Sequence, residues 1–238
     1  INRRPSHAGP ILDQLTAPEG ADDRATQIDK RMHEQTMGEI EASLGASPDS
    51  VPALLARSTV YVRQGEFPKA LADLTRALEL TPEDVSLWCR RALVHARAEN
   101  HAEVVADYTQ ALEREPRRLE ALIGRAEAYS RLRNFNAAIA DYTEAIRQSP
   151  KDESLYFGRG NAYYSLGQYA RAIPDYGEVI RLSSTHLWAV GNRGRAYLFQ
   201  GEPGRALTDF NRLLALDPRN IRGLVDRASA FIDLKRLD

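Results

Sequence analysis

Cysteine is almost missing from this 238-residue sequence, in which Cys89 stands alone. That excludes an internal disulfide and any zinc site built on cysteine, and it leaves the redox compartment open. Lysine is scarce as well, with only Lys30, Lys69, Lys151 and Lys235 among 32 basic residues. The rest are arginines, an imbalance of the kind codon bias produces, and none of them gather into a polybasic run. These 32 basic residues meet 33 acidic ones, so at a net charge of −1 no overall field draws the chain to nucleic acid or an anionic membrane. No apolar stretch approaches the roughly 18 to 20 residues of a membrane span. Glycine-rich phosphate loops, nucleophile elbows and His-Glu metal motifs are absent too. What remains is an ordinary globular composition, 43% hydrophobic and 27% charged, long enough to bury a sizeable core. The first residue, Ile1, reads as the start of a fragment or processed chain, from which any targeting signal is already gone. No compartment is specified, the cytoplasm being the default.

The positive signal is a period. Pro48, Pro82, Pro116 and Pro150 lie 34 residues apart, and the same step reaches Ser184 and Pro218. Counted from Val51, the fourth residue of each repeat is bulky (Leu54, Trp88, Leu122, Tyr156, Val190, Leu224). The eighth is small (Ser58, Ala92, Ala126, Gly160, Gly194, Ala228), and the eleventh is aromatic or nearly so (Tyr61, His95, Tyr129, Tyr163, Tyr197, Phe231). Later in each repeat a small or branched residue precedes a large one, as in Ala138 and Tyr142 or Ala206 and Phe210. Spacings of three and four place one apolar stripe on each of two helices. Gly65, Gly167 and Gly201 mark left-handed C-caps of the first helix, Pro68 suits the opening turn of a second, and the periodic prolines end it. No such pair can cover its own apolar face, so the pairs must stack. The pattern predicts an all-α solenoid.

These slots resemble the 34-residue signature of the tetratricopeptide repeat family. The resemblance covers residues 51–220 as five repeats, with 221–238 as the first helix of a sixth repeat or a C-terminal cap. It implies a right-handed superhelix of stacked helix-turn-helix units whose first helices line a concave groove for peptides and proteins. One departure is systematic. Where the family has leucine at the seventh position, this chain has Arg57, Arg91, Arg125, Arg159, Arg193 and Arg227. Just before the large second-helix slot stand Asp73, Asp107, Asp141, Asp175 and Asp209. Such matched series are expected to pair across helices as bidentate bridges.

Residues 1–20 read as an extended or disordered lead-in, and 21–50 as a capping helix or degenerate repeat, entered as one long amphipathic helix from Asp22. Pro174 lies well inside a second helix, which is therefore expected to start late or bend. His95 and His101 occupy aromatic packing slots, His7 and His186 are isolated, and His33 has no ligand spacing. Cys89, beside Trp88, reads as an inert thiol. No catalytic residue, metal ligand or cofactor site emerges.

By analogy with the family, the groove surface carries Arg63, Arg90, Arg97 and Arg131 in the first three repeats. Further along it carries Phe157, Asn161, Tyr164, Trp188, Asn192 and Phe199, with Leu198, Arg195 and Arg222 beside them. The family's carboxylate clamp, which holds the C-terminus of heat-shock chaperones, is incomplete. Asn161, Asn192 and Arg222 match three of its five positions, but Phe157 replaces a lysine and Asp226 an arginine. A chaperone tail is therefore not the expected partner. The reading is a non-enzymatic scaffold that binds a protein or peptide segment, with acidic residues facing the arginines and apolar anchors facing the rings. Two alternatives stand beside it. One is a regulatory or targeting domain of a larger, possibly enzymatic, protein; the other, disfavoured by the net charge, is single-stranded RNA binding.

Overall fold

A computed structural model describes residues 35–235. The expected lead-in, most of the expected capping helix and the last three residues lie outside that range. Every regular element among the described residues is an α-helix: α1 (35–46), α2 (Val51–Gln64), α3 (Phe67–Leu80), α4 (Val85–Arg97), α5 (His101–Arg114), α6 (Leu119–Arg131), α7 (Phe135–Gln148), α8 (Glu153–Ser165), α9 (Tyr169–Leu182), α10 (Leu187–Phe199), α11 (Pro203–Leu216) and α12 (Ile221–Lys235). First helices begin at 51, 85, 119, 153, 187 and 221, so the 34-residue step passes unbroken from sequence to structure. Two compact units divide within α3, the first ending at Arg76 and the second starting at Ala77.

In the second unit each helix from α4 to α12 packs on its neighbours in the chain, which is the stacking of an α-solenoid. Its core follows the slots. Ala92, Ala126, Ala138, Ala172 and Ala206 are fully enclosed, as are the large rings of Tyr176 and Phe210, and Tyr108 is nearly so. Small residues let the helices approach, and the rings fill the space between successive pairs. Gly124 and Gly194 show how tight this is, since a Cβ at either would fall within 3.0 Å of the rings of Tyr108 and Phe210 respectively.

The first helices α2, α4, α6, α8 and α10 stop in the same way. Gly65, Gly167 and Gly201 have φ of 76°, 71° and 74°. The amide after each donates to the carbonyl five residues back, as Gln168 N does to Tyr163 O at 2.9 Å. In the second and third repeats Glu99 and Arg133 hold this left-handed place, with φ of 59° and 60°, at a steric cost glycine escapes. N-caps recur too: Asp84 and Asp152 accept from Ser86 N and Ser154 N, and His186 Nδ1 accepts from Ala189 N at 3.1 Å. His186 is thus the cap of α10 rather than an isolated residue.

The expectation of a late start at Pro174 is wrong. α9 begins at Tyr169, in step with the other second helices, and runs through the proline. Pro174 and Ala170 are both exposed, so the carbonyl that loses its N–H partner faces water.

The matched arginine and aspartate series pair as expected. In each of the five repeats Nε donates to one carboxylate oxygen and Nη2 to the other, at 2.8 and 2.8 Å for Arg125–Asp141 and 2.9 and 2.7 Å for Arg159–Asp175. The same fork joins Arg57 to Asp73, Arg91 to Asp107 and Arg193 to Asp209. All five aspartates are buried. The third nitrogen adds a link backwards: Arg125 Nη1 donates to Thr109 Oγ1 and Arg159 Nη1 to Thr143 Oγ1, on the second helix of the preceding repeat. One guanidinium therefore fixes the angle within its own repeat and the distance to the one before. The aspartates hold the Arg125, Arg159 and Arg193 guanidinium pKa values above the ordinary range, chiefly through these hydrogen bonds.

Candidate functional site

Arg63, Arg90, Arg97 and Arg131, the arginines expected on the groove, lie on first helices. Arg63, near the end of α2, belongs to the first unit and is exposed. Arg90 and Arg97 on α4 and Arg131 on α6 are exposed in the second unit. Arg131 borders a 530 Å³ cleft between α4, α5 and α6, floored by Tyr108 and Gly124 and edged by Leu93, His101 and Glu127. The absence of a side chain at Gly124 opens the floor and lets the Tyr108 ring reach it. Burial pushes the Glu127 carboxyl pKa up, against the pull of Arg131.

The later residues form two connected groups. Asn161 Oδ1 on α8 accepts from the Tyr176 hydroxyl at 2.8 Å and from Asn192 Nδ2 at 3.0 Å. Asn192 Oδ1 accepts in turn from Arg195, whose Nη1 lies 3.5 Å from Asp226 Oδ2 on α12. The two clamp-position asparagines therefore bind each other, and the acid in place of a clamp arginine holds Arg195. Burial raises the Tyr176 hydroxyl pKa, which keeps it a donor. This network crosses four helices and presets the amides, leaving little freedom for a ligand carboxylate.

Beside it are the rings. Phe157 is half-buried, 4.8 Å centroid to centroid from His186 and 6.1 Å from Tyr176, so it packs rather than projects. Phe199 stacks on Tyr169 at 4.8 Å with 12° between planes, Tyr164 meets both edge-on, and Phe199 stays 62% exposed. Tyr169 joins this patch although its slot reads as packing in the sequence. Trp188 is 65% exposed and borders a second cleft, of 270 Å³, with Gly191, Arg195, Leu213, Arg222 and Asp226.

Cys89 is 2% exposed, and burial lifts its thiol pKa to about 11, so it remains a protonated core residue. His95 is packed, with Nε2 4.0 Å from Asp107 and its pKa lowered by burial. Among the described residues no group of three or more His, Cys, Asp or Glu side chains could hold a metal, and no helix is long and apolar enough to cross a membrane.

Comparison by sequence profile settles the family. A tetratricopeptide repeat profile matches residues 105–153, 124–185 and 192–238, more than half of the chain, and a second TPR profile matches 59–98. The chain belongs to the tetratricopeptide repeat family. A search of curated proteins by sequence finds no match. Solved structures similar to this TPR chain include MamA, at TM-score 0.69 and 18% identity over 72% of this chain and 94% of that one. Another is YrrB, described as a TPR protein with an unusual peptide-binding site, at TM-score 0.71 and 16% identity over 79% and 97%. A third is a tetratricopeptide repeat protein from Parabacteroides merdae, at TM-score 0.52 and 23% identity over 86% and 80%. At these identities the likeness is one of fold. TPR solenoids are protein-interaction scaffolds, and the described residues carry the repeat without interruption.

Proposed function

We propose that the chain is a non-enzymatic scaffold that binds a peptide or protein segment on its first helices, anchored at Trp188. The observation that carries this reading is the indole itself, 65% exposed beside a 270 Å³ cleft with Arg195 and Arg222 on its walls. A large ring left in water costs solubility, and a cleft next to it offers a place for an apolar side chain. Phe199 at the end of α10, stacked on Tyr169 at the start of α9, adds a second apolar surface. Arg97 and Arg131 add charge that suits acidic residues of the same ligand. The rings bury much area at small entropic cost and so carry the affinity, while the arginines govern orientation and association rate.

The test is affinity selection from a displayed peptide library, followed by titration of a selected peptide at two salt concentrations. Trp188→Ala is expected to weaken binding by about 1–3 kcal/mol, mainly through the off-rate. Arg97→Ala costs less, and its effect fades as salt rises. Equal, salt-independent losses from both variants, or none from Trp188→Ala, reject the two-part surface.

A further inference from the structure

From α5 to α11 the second helices carry a large ring in one register slot: Tyr108, Tyr142, Tyr176 and Phe210. The hydroxyls in this series are answered differently. Tyr176 donates to Asn161 Oδ1 at 2.8 Å, Asn161 being the ninth residue of the first helix in the same repeat. Asn192, the sixth residue of the next first helix, closes the group by donating to the same oxygen. Tyr142 has a hydrogen-bonding neighbour in Ser130, the twelfth residue of α6. Around Tyr108 these ninth, twelfth and sixth places hold Leu93, Ala96 and Gly124, none with a polar side chain. Among the described residues no hydrogen bond reaches the Tyr108 hydroxyl, although the residue is only 2% exposed. A Cβ on Gly124 would lie 2.7 Å from that oxygen, so the hydroxyl sits at the floor of the 530 Å³ cleft between α4, α5 and α6. Burial keeps its proton in place, and an enclosed O–H without an acceptor is unfavourable.

The cleft therefore wants an acceptor, and two repeats further on the chain supplies one as a carboxamide. The walls narrow the choice of ligand. Glu127 and Arg131, one turn apart on α6, border the cleft, and among the described residues no hydrogen bond or ion pair engages either. A ligand carboxylate would meet Arg131 but oppose Glu127. An ammonium would oppose Arg131 and leave the Tyr108 O–H without an acceptor. A carboxamide opposes neither, since its oxygen accepts from Tyr108 or Arg131 while its NH2 donates to Glu127. Leu93 and Ala96 offer apolar surface to the methylenes that carry it.

We propose that this cleft is a second peptide subsite, which takes an asparagine or glutamine side chain of the bound segment. The ligand supplies from outside the acceptor that Asn161 supplies from within. The assignment rests on the reading of the chain as a peptide-binding scaffold, but the cleft shares no lining residue with the one at Trp188.

Two measurements test it, and the first needs no ligand. Tyr108→Phe removes a hydroxyl that has no partner and copies Phe210, so its melting temperature is expected to equal or exceed that of the unaltered chain. Tyr176→Phe breaks the bond to Asn161 and is expected to melt lower. A loss for Tyr108→Phe as large as that for Tyr176→Phe overturns the proposal, because the hydroxyl is then satisfied within the fold. The second is selection of displayed peptides on the 238-residue chain, with each recovered peptide titrated against variants. Peptides sharing an asparagine or glutamine at one position are expected to lose about tenfold in affinity on Tyr108→Phe. Leu93→Asn, which puts an amide in the place of Asn161, is expected to cost as much, and so is glutamate or lysine at that peptide position. Peptides that bind as well with the charged residue overturn the choice of ligand. Peptides weakened by Trp188→Ala but by neither cleft variant overturn this subsite and leave the Trp188 surface standing. Peptides weakened by both cleft variants and not by Trp188→Ala support the subsite and reject the Trp188 anchor.

Discussion

The stretch from α4 to α7 and the stretch from α8 to α12 share one skeleton and differ on one surface. Both carry the buried Arg–Asp fork, the Schellman turn and the ring packed against a small residue. At the sixth position of the first helix, however, the earlier stretch has Arg90 and Gly124, whereas the later one keeps a glycine at Gly158 and then has Asn192 and Asp226. In the first case Tyr108 reaches through the gap at Gly124 to a cleft. In the second, Tyr176 is tied down by Asn161 and a network that runs on to Asp226. Positions that set the helix geometry repeat; positions on the proposed binding surface diverge. A repeat protein thus separates the two jobs by register.

Breaking the shared part should cost most. Asp141→Ala strands the Arg125 guanidinium in a partly buried site and should destabilise the fold by about 3–5 kcal/mol in chemical denaturation. Asp107→Ala should match it in size, because the fork is the same. An Asp141→Ala loss below about 1 kcal/mol would mean that the forks only decorate the packing. Next come the small residues. Gly194→Ala and Gly124→Ala both drive a methyl into a ring, and each should cost about 1–3 kcal/mol. Gly194→Ala is expected to be worse, since Phe210 is fully enclosed whereas the Tyr108 ring borders a cleft and has somewhere to move. The smallest effect has the opposite sign. Glu99→Gly and Arg133→Gly relieve left-handed residues and should each stabilise by about 1 kcal/mol, seen as a higher melting temperature.

Much of this was legible in the sequence because a period makes every residue a member of a series. Five arginines and five aspartates at fixed offsets announced their pairing, and Gly65, Gly167 and Gly201 announced their caps. Series whose members differ in type hide the same information. Glu99 and Arg133 share the backbone of those glycines, and His186 shares the capping place of Asp84 and Asp152, but no residue type signals it. Pro174 misled for a physical reason: proline is read as a helix breaker, yet on an exposed face water replaces the lost hydrogen bond. The candidate surface was the least readable part. Asn161 and Asn192 are 31 residues apart, and only the packed helices show that they satisfy each other. Trp188 and Phe157 looked equivalent as aromatic groove residues, but one projects and the other is wedged between Tyr176 and His186.

The backward link that Arg125 and Arg159 make to a threonine has no counterpart at Arg193. Arg193 Nη1 lies near Gly177, where Thr109 and Thr143 have their counterpart, and no hydroxyl is there to accept. The same helix, α9, also contains Pro174. In a linear array, stability is a sum of unit and nearest-neighbour terms, so the weakest joint decides where cooperativity divides. Amide hydrogen exchange should therefore show α10, α11 and α12 opening together, ahead of α4 to α7, with the division at α9. Restoring the hydroxyl with Gly177→Thr should merge the two exchange classes into one.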